Sequence, residues 1–391
     1  MTTDLPIGAR LERLPVSAAM WRRVALISLG GFFEFYDMFM SGYIAPGLVK
    51  SGILTPTTPG LFGTEGIAGF VAAFFAGLFL GTAVFGFVAD RYGRRTIFTF
   101  SLLWYMAASA VMAFQTTAFG LDLWRFIAGI GVGVELVTID TYIAELVPRH
   151  IRGRAFAFNQ VITFAAVPVT AFLAWVLVPI APFGFDGWRW VVLAGSFGAL
   201  IVWYIRLGVP ESPRWLASHG RVSEAEAILD RWEAESGVAA TNSDASEEPQ
   251  AGGDWRLSWY EIWRPPYLSR TVMLILFNLF QTVGFYGFSN WVPTFLISQG
   301  ITVTKSLEYT FIIALAAPCG PLLASLYTDR IERKWAIVGA AGCVAVFGLM
   351  FGNVTAMAPL ILFGVLVTLS NNTMSFSFHA YQAELYPTRI R

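Results

Sequence analysis

The chain has 391 residues, of which 56% are hydrophobic, 16% aromatic and only 13% charged, against roughly 45–50% apolar and 25% charged in a soluble domain. Lysine plus arginine and aspartate plus glutamate balance at 26 each, so there is no basic surplus to engage nucleic acid and no acidic tail. Apolar runs long enough to cross a bilayer recur throughout, which excludes an ordinary soluble domain and predicts an all-α polytopic membrane protein.

In chain order the expected spans cover about 24–46, 66–89, 96–114, 119–141, 155–178, 188–206, 269–295, 307–327, 335–352 and 357–380. Arg10, Arg13, Arg22 and Arg23 precede the first span and no small-residue cleavage site follows it, so it reads as a retained anchor. All basic residues except Lys50, Arg125, Arg189 and Lys305 fall on one side of this arrangement. The positive-inside rule therefore predicts both ends in the cytoplasm. The only cysteines, Cys319 and Cys343, have no metal-ligand spacing and read as buried small hydrophobes.

Between the sixth and seventh spans runs a connection of about sixty residues, long beside the usual ~4–6. Its residues 223–235 read as an amphipathic helix opened by Ser223 with Glu226 three positions on, and 239–254 as a polar, flexible stretch. The expected organisation is a half at 1–206, a cytoplasmic connection at 207–266 and a second half at 267–391.

Two unrelated cassettes recur at one spacing. Asp90-Arg91 returns as Asp329-Arg330, and Tyr142, Ala144, Glu145, Leu146, Pro148, Ile151 and Arg152 return as Tyr381, Ala383, Glu384, Leu385, Pro387, Ile390 and Arg391, each 239 positions on. A duplicated membrane half is expected, of the parallel kind found in transporters, whose solute site lies near the midplane at the repeat interface. The first half has two more spans after Arg152, so a twelve-span parent is expected, with the second half lacking its last two spans here.

These residues resemble the major facilitator superfamily, in its sugar-porter-like branch of metabolite carriers. The loop Gly86-Phe-Val-Ala-Asp90-Arg91-Tyr-Gly93-Arg94-Arg95 matches that family's G-x-x-x-D-R-x-G-R-R, and Arg125-Phe-Ile-Ala-Gly129-Ile-Gly131 its R-x-x-x-G-x-G. Tyr142-Ile-Ala-Glu145-Leu-Val-Pro148 with Arg152-Gly153-Arg154, and Pro210-Glu211-Ser212-Pro213-Arg214-Trp215-Leu216, match two further signatures. The resemblance implies the major facilitator fold, two pseudo-symmetric six-helix halves with ten of twelve spans present, and alternating-access transport without a cofactor or metal. Ser325 and Glu332 stand where the pattern has glycines. The seventh span lacks the paired glutamines of hexose porters and is more similar to niacin-type and organic-acid carriers.

Ionisable groups inside a bilayer are expensive and mark function. Glu34 and Asp37 lie three apart on one helical face, roughly 15 and 20 Å from the cytoplasmic boundary at ~1.5 Å per residue. Arg125 enters from the other side to about 21 Å from that boundary. Asp37, assisted by Glu34, is expected to take a proton with Arg125 as counter-charge; the resemblance adds that Asp37 to Gly42 matches the D-x-x-x-S-G of proton-coupled porters. A static buried ion pair is the competing reading.

A cytoplasmic gate is expected from Gly86, Asp90, Arg91, Gly93, Arg94, Arg95, Glu145 and Arg152, and in the repeat from Asp329, Arg330, Arg333 and Glu384, with Arg94 and Arg95 as partners for Glu145. Glu135 and Asp140 lie nearby in the same span. Candidate solute contacts are Asn159, Gln160 and Thr163, then Gln281, Tyr286 and Asn290, then Asn371, Asn372 and His379. The run Gly129, Gly131, Gly133 reads as close helix packing rather than a phosphate cradle. No H-E-x-x-H, nucleophile elbow or cofactor fingerprint occurs, which argues against an enzyme.

The reading is a secondary transporter of a small polar metabolite, an organic or aromatic acid or sugar-like solute, coupled to protons and acting as a monomer. A uniporter or a solute sensor are the alternatives. Arginine outnumbers lysine 23 to three, a composition of GC-rich bacterial genomes, which points to the cytoplasmic membrane.

Overall fold

The computed structural model describes residues 7–237, 261–327 and 331–385, with the side chains of these residues except 85–90, 137, 261, 325–327, 380, 383 and 384. Among the described residues there are fifteen α-helices and no named strand, only an isolated bridge between Pro59 and Glu65. They are α1 Ile7–Glu12, α2 Ala18–Lys50, α3 Gly66–Tyr92, α4 Arg94–Met112, α5 Ala118–Leu146, α6 Arg149–Phe164, α7 Ala166–Leu177 and α8 Gly187–Arg206. Then follow α9 Pro213–Ser218, α10 Val222–Ser236, α11 Leu268–Ser298, α12 Val303–Ala314, α13 Cys319–Tyr327, α14 Arg333–Asn353 and α15 Met357–Leu385.

Every expected span corresponds to one helix or a broken pair. Nine are long and apolar enough to cross a membrane. The remaining one, α4, opens on Arg94-Arg95 and carries several hydroxyl side chains, which dilute its apolar character.

Proline accounts for the broken spans. Pro168, three residues past the break at Ala165, has no N–H and its ring crowds the carbonyl four residues back, so α6 ends at Phe164. Pro318 has the same relation to Ala314, where α12 stops. Caps set other boundaries: Ser17 accepts from Met20 N at 3.2 Å and opens α2, and Thr117 accepts from Gly120 N at 3.2 Å and opens α5.

The chain divides into two compact units, Met1–Ala245 and Ser246–Arg391. In the first, α2 packs against α5, α6, α7 and α8, and α5 against α3 and α4. Without a hydrophobic drive between helices in lipid, close approach of backbones must supply the contact energy. Gly77 and Gly81 of α3 face Gly129 and Gly133 of α5 so tightly that an added Cβ at any of the four strikes the opposing helix's backbone carbonyl, of Phe126, Ile130, Phe74 and Leu78 respectively. Gly131 turns to α4 instead, where a Cβ would meet Trp104 Cδ1 at 2.6 Å. The glycine run in the fourth span is therefore a packing device on two sides.

At one end of this bundle α1, α9 and α10 assemble with buried Leu11, Leu229 and Trp232 and with Trp215, Leu216 and Ala225. Helix α10 starts one residue earlier than the capping-box pattern indicates. Its N-cap is Arg221, which follows the left-handed Gly220 at φ 76°, and Ser223 lies inside the first turn. The Arg221 guanidinium reaches Glu224 in two 2.7 Å bonds, which pulls the Glu224 carboxyl below its usual range. The polar stretch 239–254 lies outside the described residues.

In the second unit, α11, α12, α14 and α15 close over Val292, Leu296, Ile313, Phe351 and Leu360. Helix α15 repeats α5 at an offset of 239 at both ends. Cys319 and Cys343 are exposed rather than buried, because they occupy outward faces of α13 and α14.

The packing predicts that Gly129→Ala lowers stability by about 1–3 kcal/mol, since its contact is backbone that cannot yield. Gly339→Ala, with open space around it, should stay within about 1 kcal/mol. Thermal unfolding in detergent checks both; equal melting points for the two variants would refute the close-packing account.

Candidate functional site

Among the described residues of the first unit three arginines are buried, Arg125, Arg189 and Arg206, and two of them, Arg125 and Arg206, each hold a carboxylate and the backbone of α2. From α5, Arg125 donates through Nη1 to Asp37 Oδ2 at 2.7 Å, and through Nη2 to Asp37 O at 2.5 Å and Ser41 Oγ at 2.7 Å. The second carboxylate oxygen, Asp37 Oδ1, accepts from Ser109 Oγ of α4 at 2.8 Å. Arg125 is 0% exposed and Asp37 4%. The guanidinium also lies 4.1 Å from the Phe74 ring centroid, a cation–π contact, and its Nε has no hydrogen-bond acceptor.

Beside this pair is a void of about 10 Å³ lined by Phe33, Asp37, Tyr105, Ser109 and Ser196 among others, about the volume one water needs. The Tyr105 hydroxyl and Ser196 Oγ are buried without a hydrogen-bond partner. The polar lining and the size are those of a site for one water next to the carboxylate.

The other arginine is Arg206, the last residue of α8. The sequence places it with the basic residues of the connection, but it is 1% exposed and buried in the bundle. It donates to Glu135 Oε1 at 3.0 Å, to Leu26 O at 3.0 Å and to Ile27 O, and lies 3.4 Å from the Phe98 ring centroid. Gly30 leaves the room it occupies, since a Cβ there would collide with the guanidinium. Glu34 is also buried, with Oε1 lacking a partner, and feels Glu135, Asp140 and Arg206 rather than Arg125. The structure therefore separates Glu34 from Asp37: one belongs to the Arg206 cluster, the other to the Arg125 pair.

A third set of polar contacts lies at the end carrying α1, α9 and α10. Arg94 meets Glu145 at 3.3 Å. Arg95, expected at the same carboxylate, goes elsewhere: its backbone N–H donates to Glu211 at 3.1 and 3.2 Å and its side chain to Leu207 O at 2.7 Å. The turn at Gly93, with φ 97°, separates α3 from α4 and leaves no room for a Cβ beside Glu211. Glu211 thus caps the N-terminus of α4, as Glu12 does for α6 by accepting from Arg149 N at 2.6 Å. Glu12 also takes Arg214 at 2.5 Å, and Tyr142 donates to Pro210 O. Arg152 is half-buried with Nε and Nη2 unpartnered, and Arg91 is exposed beside the Tyr92 ring.

Asp329 and Arg330, and the side chains of Asp90 and Glu384, lie outside what is described, as does the tail holding Pro387 to Arg391; Gly86 lies within α3 and Arg333 opens α14. Among the solute candidates, Asn159 is buried, donates to Asp140 at 3.4 Å and keeps Oδ1 free; Thr163 Oγ1 on the same face is also unpartnered. Gln160, Gln281 and Tyr286 are half-buried. Asn290 donates to Tyr286 O at 2.9 Å and Asn372 to Ala317 O at 3.0 Å, while Asn290 Oδ1 and Asn371 Oδ1 are buried and unpartnered. His379 is exposed and bonds Ser375 O at 2.7 Å, on the outer face of α15. Among the described residues no group of His, Cys, Asp and Glu is spaced to hold a metal.

Among the described residues, nine helices long and apolar enough to cross a membrane and no named strand make this a multi-pass, all-α membrane protein, and its likeness to known proteins gives the fold as that of the major facilitators and the family as one of transporters rather than enzymes. Solved structures of the xylose transporter XylE from E. coli share that fold. One, in a partially occluded inward open conformation, has a TM-score of 0.71 at 22% identity, covering 93% of this chain and 86% of XylE. Another, of the proton:xylose symporter bound to 6-bromo-6-deoxy-D-glucose, has a TM-score of 0.69 at 21% identity, covering 95% and 83%. The family described as "Sugar (and other) transporter" matches residues 24–391, and the chain belongs to it. It is 30% identical to the niacin transporter NiaP of Acinetobacter baylyi, over 99% of this chain and 85% of that one. It is 27% identical to the inner membrane metabolite transport protein YdjE of Escherichia coli, over 98% and 84%.

Removing one member of a buried pair strands the other, at about 3–5 kcal/mol, whereas replacing both by apolar side chains is close to neutral. Arg206→Met should therefore sharply lower the melting temperature in detergent, and adding Glu135→Leu should restore most of it. Failure of the second change to restore stability would show that the arginine acts chiefly through the α2 carbonyls.

Proposed function

We propose that the protein is a proton-coupled symporter of a small polar metabolite, an organic or aromatic acid or sugar-like solute, working by alternating access in the bacterial cytoplasmic membrane with its N-terminus inside. The observation that carries this reading is the Asp37–Arg125 pair, sealed from solvent and made by residues at matched depth in α2 and α5. An exchangeable proton needs a carboxylate whose partner is a single cation and whose ionised form is stabilised only while that partner is held.

The steps follow from the contacts. A proton entering from outside reaches Asp37 through the small void bounded by Ser109, Ser196 and Tyr105. Neutralising Asp37 removes the charge term that holds Arg125, leaving its bonds to Asp37 O and Ser41 Oγ. Held by those two bonds alone, the guanidinium ties α5 to α2 less firmly. Release of the proton inward restores the pair and resets the carrier.

The second unit takes a different part. The position in α15 equivalent to Arg125 is Gly364 and that equivalent to Glu135 is Met374, at the shared offset of 239. Among its described residues the buried polar groups are neutral: Asn290, Asn371 and Asn372 with hydroxyl side chains. We assign solute recognition there to neutral amides with Gln281 and Tyr286, and in the first unit to Asn159 and Gln160. Spare acceptors on Asn159, Asn290 and Asn371 support this. The niacin carried by one relative, an aromatic carboxylate, is the first solute to test. Arg94 with Glu145, together with Gly86, Asp90, Arg91, Gly93, Arg95 and Arg152, is assigned to the gate that seals the inner side; Asp329, Arg330, Arg333 and Glu384 are its repeat. The carrier acts as a monomer.

Uptake in proteoliposomes tests the proposal. A gradient of about one pH unit supports roughly tenfold accumulation per proton. Wild type should concentrate one solute of a panel of nicotinate, other carboxylates and sugars, and lose that accumulation when a protonophore collapses the gradient. Asp37→Asn should bring the accumulation ratio to about one while retaining solute exchange. Uptake indifferent to the gradient would identify a uniporter, and binding without uptake a sensor.

Glu145→Gln removes the carboxylate that Arg94 meets and should shift the carrier toward the inward-open form. Labelling of a cysteine placed at the inner mouth should speed up, with initial uptake falling several-fold.

A further inference from the structure

We propose that the groove between the start of α2, the end of α8 and helix α10 is a binding site for an anionic phospholipid headgroup. The groove has a volume of about 630 Å³, large enough for a glycerophosphate group with its first acyl carbons. Three arginines line it, Arg22, Arg23 and Arg231, against one carboxylate, Glu235.

The charges are not equivalent. Arg23 is committed: it pairs with Glu235 and lies 4.3 Å from the Trp232 ring centroid. Arg22 and Arg231 are exposed and have no hydrogen-bond or ion-pair partner among the described residues. They supply two unmatched guanidinium groups on facing helices, the donor geometry that suits a phosphodiester. Ala18 and Ala19, in the first turn of α2, also line the groove, so it begins beside the N-terminal turn of that helix.

The remaining wall is apolar: Leu26, Ile205, Val209 and Ile228. It continues onto the outer face of α8, where Phe197, Ile201, Tyr204 and Ile205 are exposed at one-turn spacing. A phosphate between the arginines therefore leaves its acyl chains aligned with that exposed apolar stripe. A soluble anion would use only the arginines. The apolar wall, continuous with that stripe, favours a lipid.

The site is pre-formed, because α10 is fixed independently of any ligand. Arg10 of α1 donates to Glu233 at 2.9 and 2.7 Å and to Asp230 at 2.6 Å. The bonds to Glu233 and Asp230 hold the Arg10 guanidinium further above its usual value despite partial burial. A bound headgroup would bridge α2 and α10 through side chains that transport does not use.

Native mass spectrometry of the delipidated full chain with equal amounts of phosphatidylglycerol and phosphatidylcholine tests this. Wild type should retain phosphatidylglycerol preferentially and melt at a higher temperature in its presence. Arg22→Gln and Arg231→Gln should each weaken that retention by about fivefold, and the double variant should bind the two lipids alike. Arg154→Gln, an exposed arginine elsewhere on the unit, should change nothing. Equal retention of both lipids by wild type, equal loss in Arg154→Gln, or the same stabilisation by inorganic phosphate alone would overturn the proposal.

Discussion

The first unit is organised around the need to satisfy two guanidinium groups buried inside the bundle. Arg125 and Arg206 each carry five N–H donors; each combines a carboxylate with an aromatic face and oxygens of α2, Arg125 through Asp37 O and Ser41 Oγ and Arg206 through Leu26 O and Ile27 O. A helical carbonyl already accepting from four residues on still has a second lone pair, so the arginines bond α2 without unwinding it. Because one comes from α5 and the other from α8, α2 is held near both ends of its buried stretch. The small residues around it follow: Gly30 admits Arg206, Gly195 admits the ring of Tyr36, and Gly198 that of Phe33.

This scheme explains why the two halves differ while sharing a backbone plan. Helices α5 and α15 have the same length and register, yet one carries Arg125 and Glu135 and the other Gly364 and Met374. Buried charge is costly unless it is paired, and the residues that replace Arg125 and Glu135 in the second half are uncharged. A carrier needs only one site at which a proton alters helix packing. The neutral amides of the other half offer hydrogen-bonding groups that do not titrate.

The P-E-S-P-R-W-L segment shows how a motif can be a set of local tasks. Glu211 caps α4, Ser212 caps α9 by accepting from Trp215 N at 3.2 Å, and Pro213 fills the first helical position. Arg214 binds Glu12, and Trp215 and Leu216 are buried against α10. Each letter orders the junction between α4, α6 and the surface helices. The same junction forms a wall of the arginine-lined groove.

The sequence by itself determined the spans, the duplication and the depth at which Asp37 and Arg125 meet. Helical rise adds linearly along a chain and apolar length is countable, so axial position is legible without a structure. What only the tertiary structure decided is rotation and partner choice. Glu34 and Asp37, three residues apart, were read as one site, but the angle between them sends one toward Arg206 and the other toward Arg125. Arg206 read as a loop residue because it ends a span, and only the packing of α8 against α2 turns it inward. Arg94 and Arg95 diverge likewise, to Glu145 and Glu211. Which carboxylate an arginine reaches depends on the distance between helices, and the periodicity of a single helix does not contain that distance.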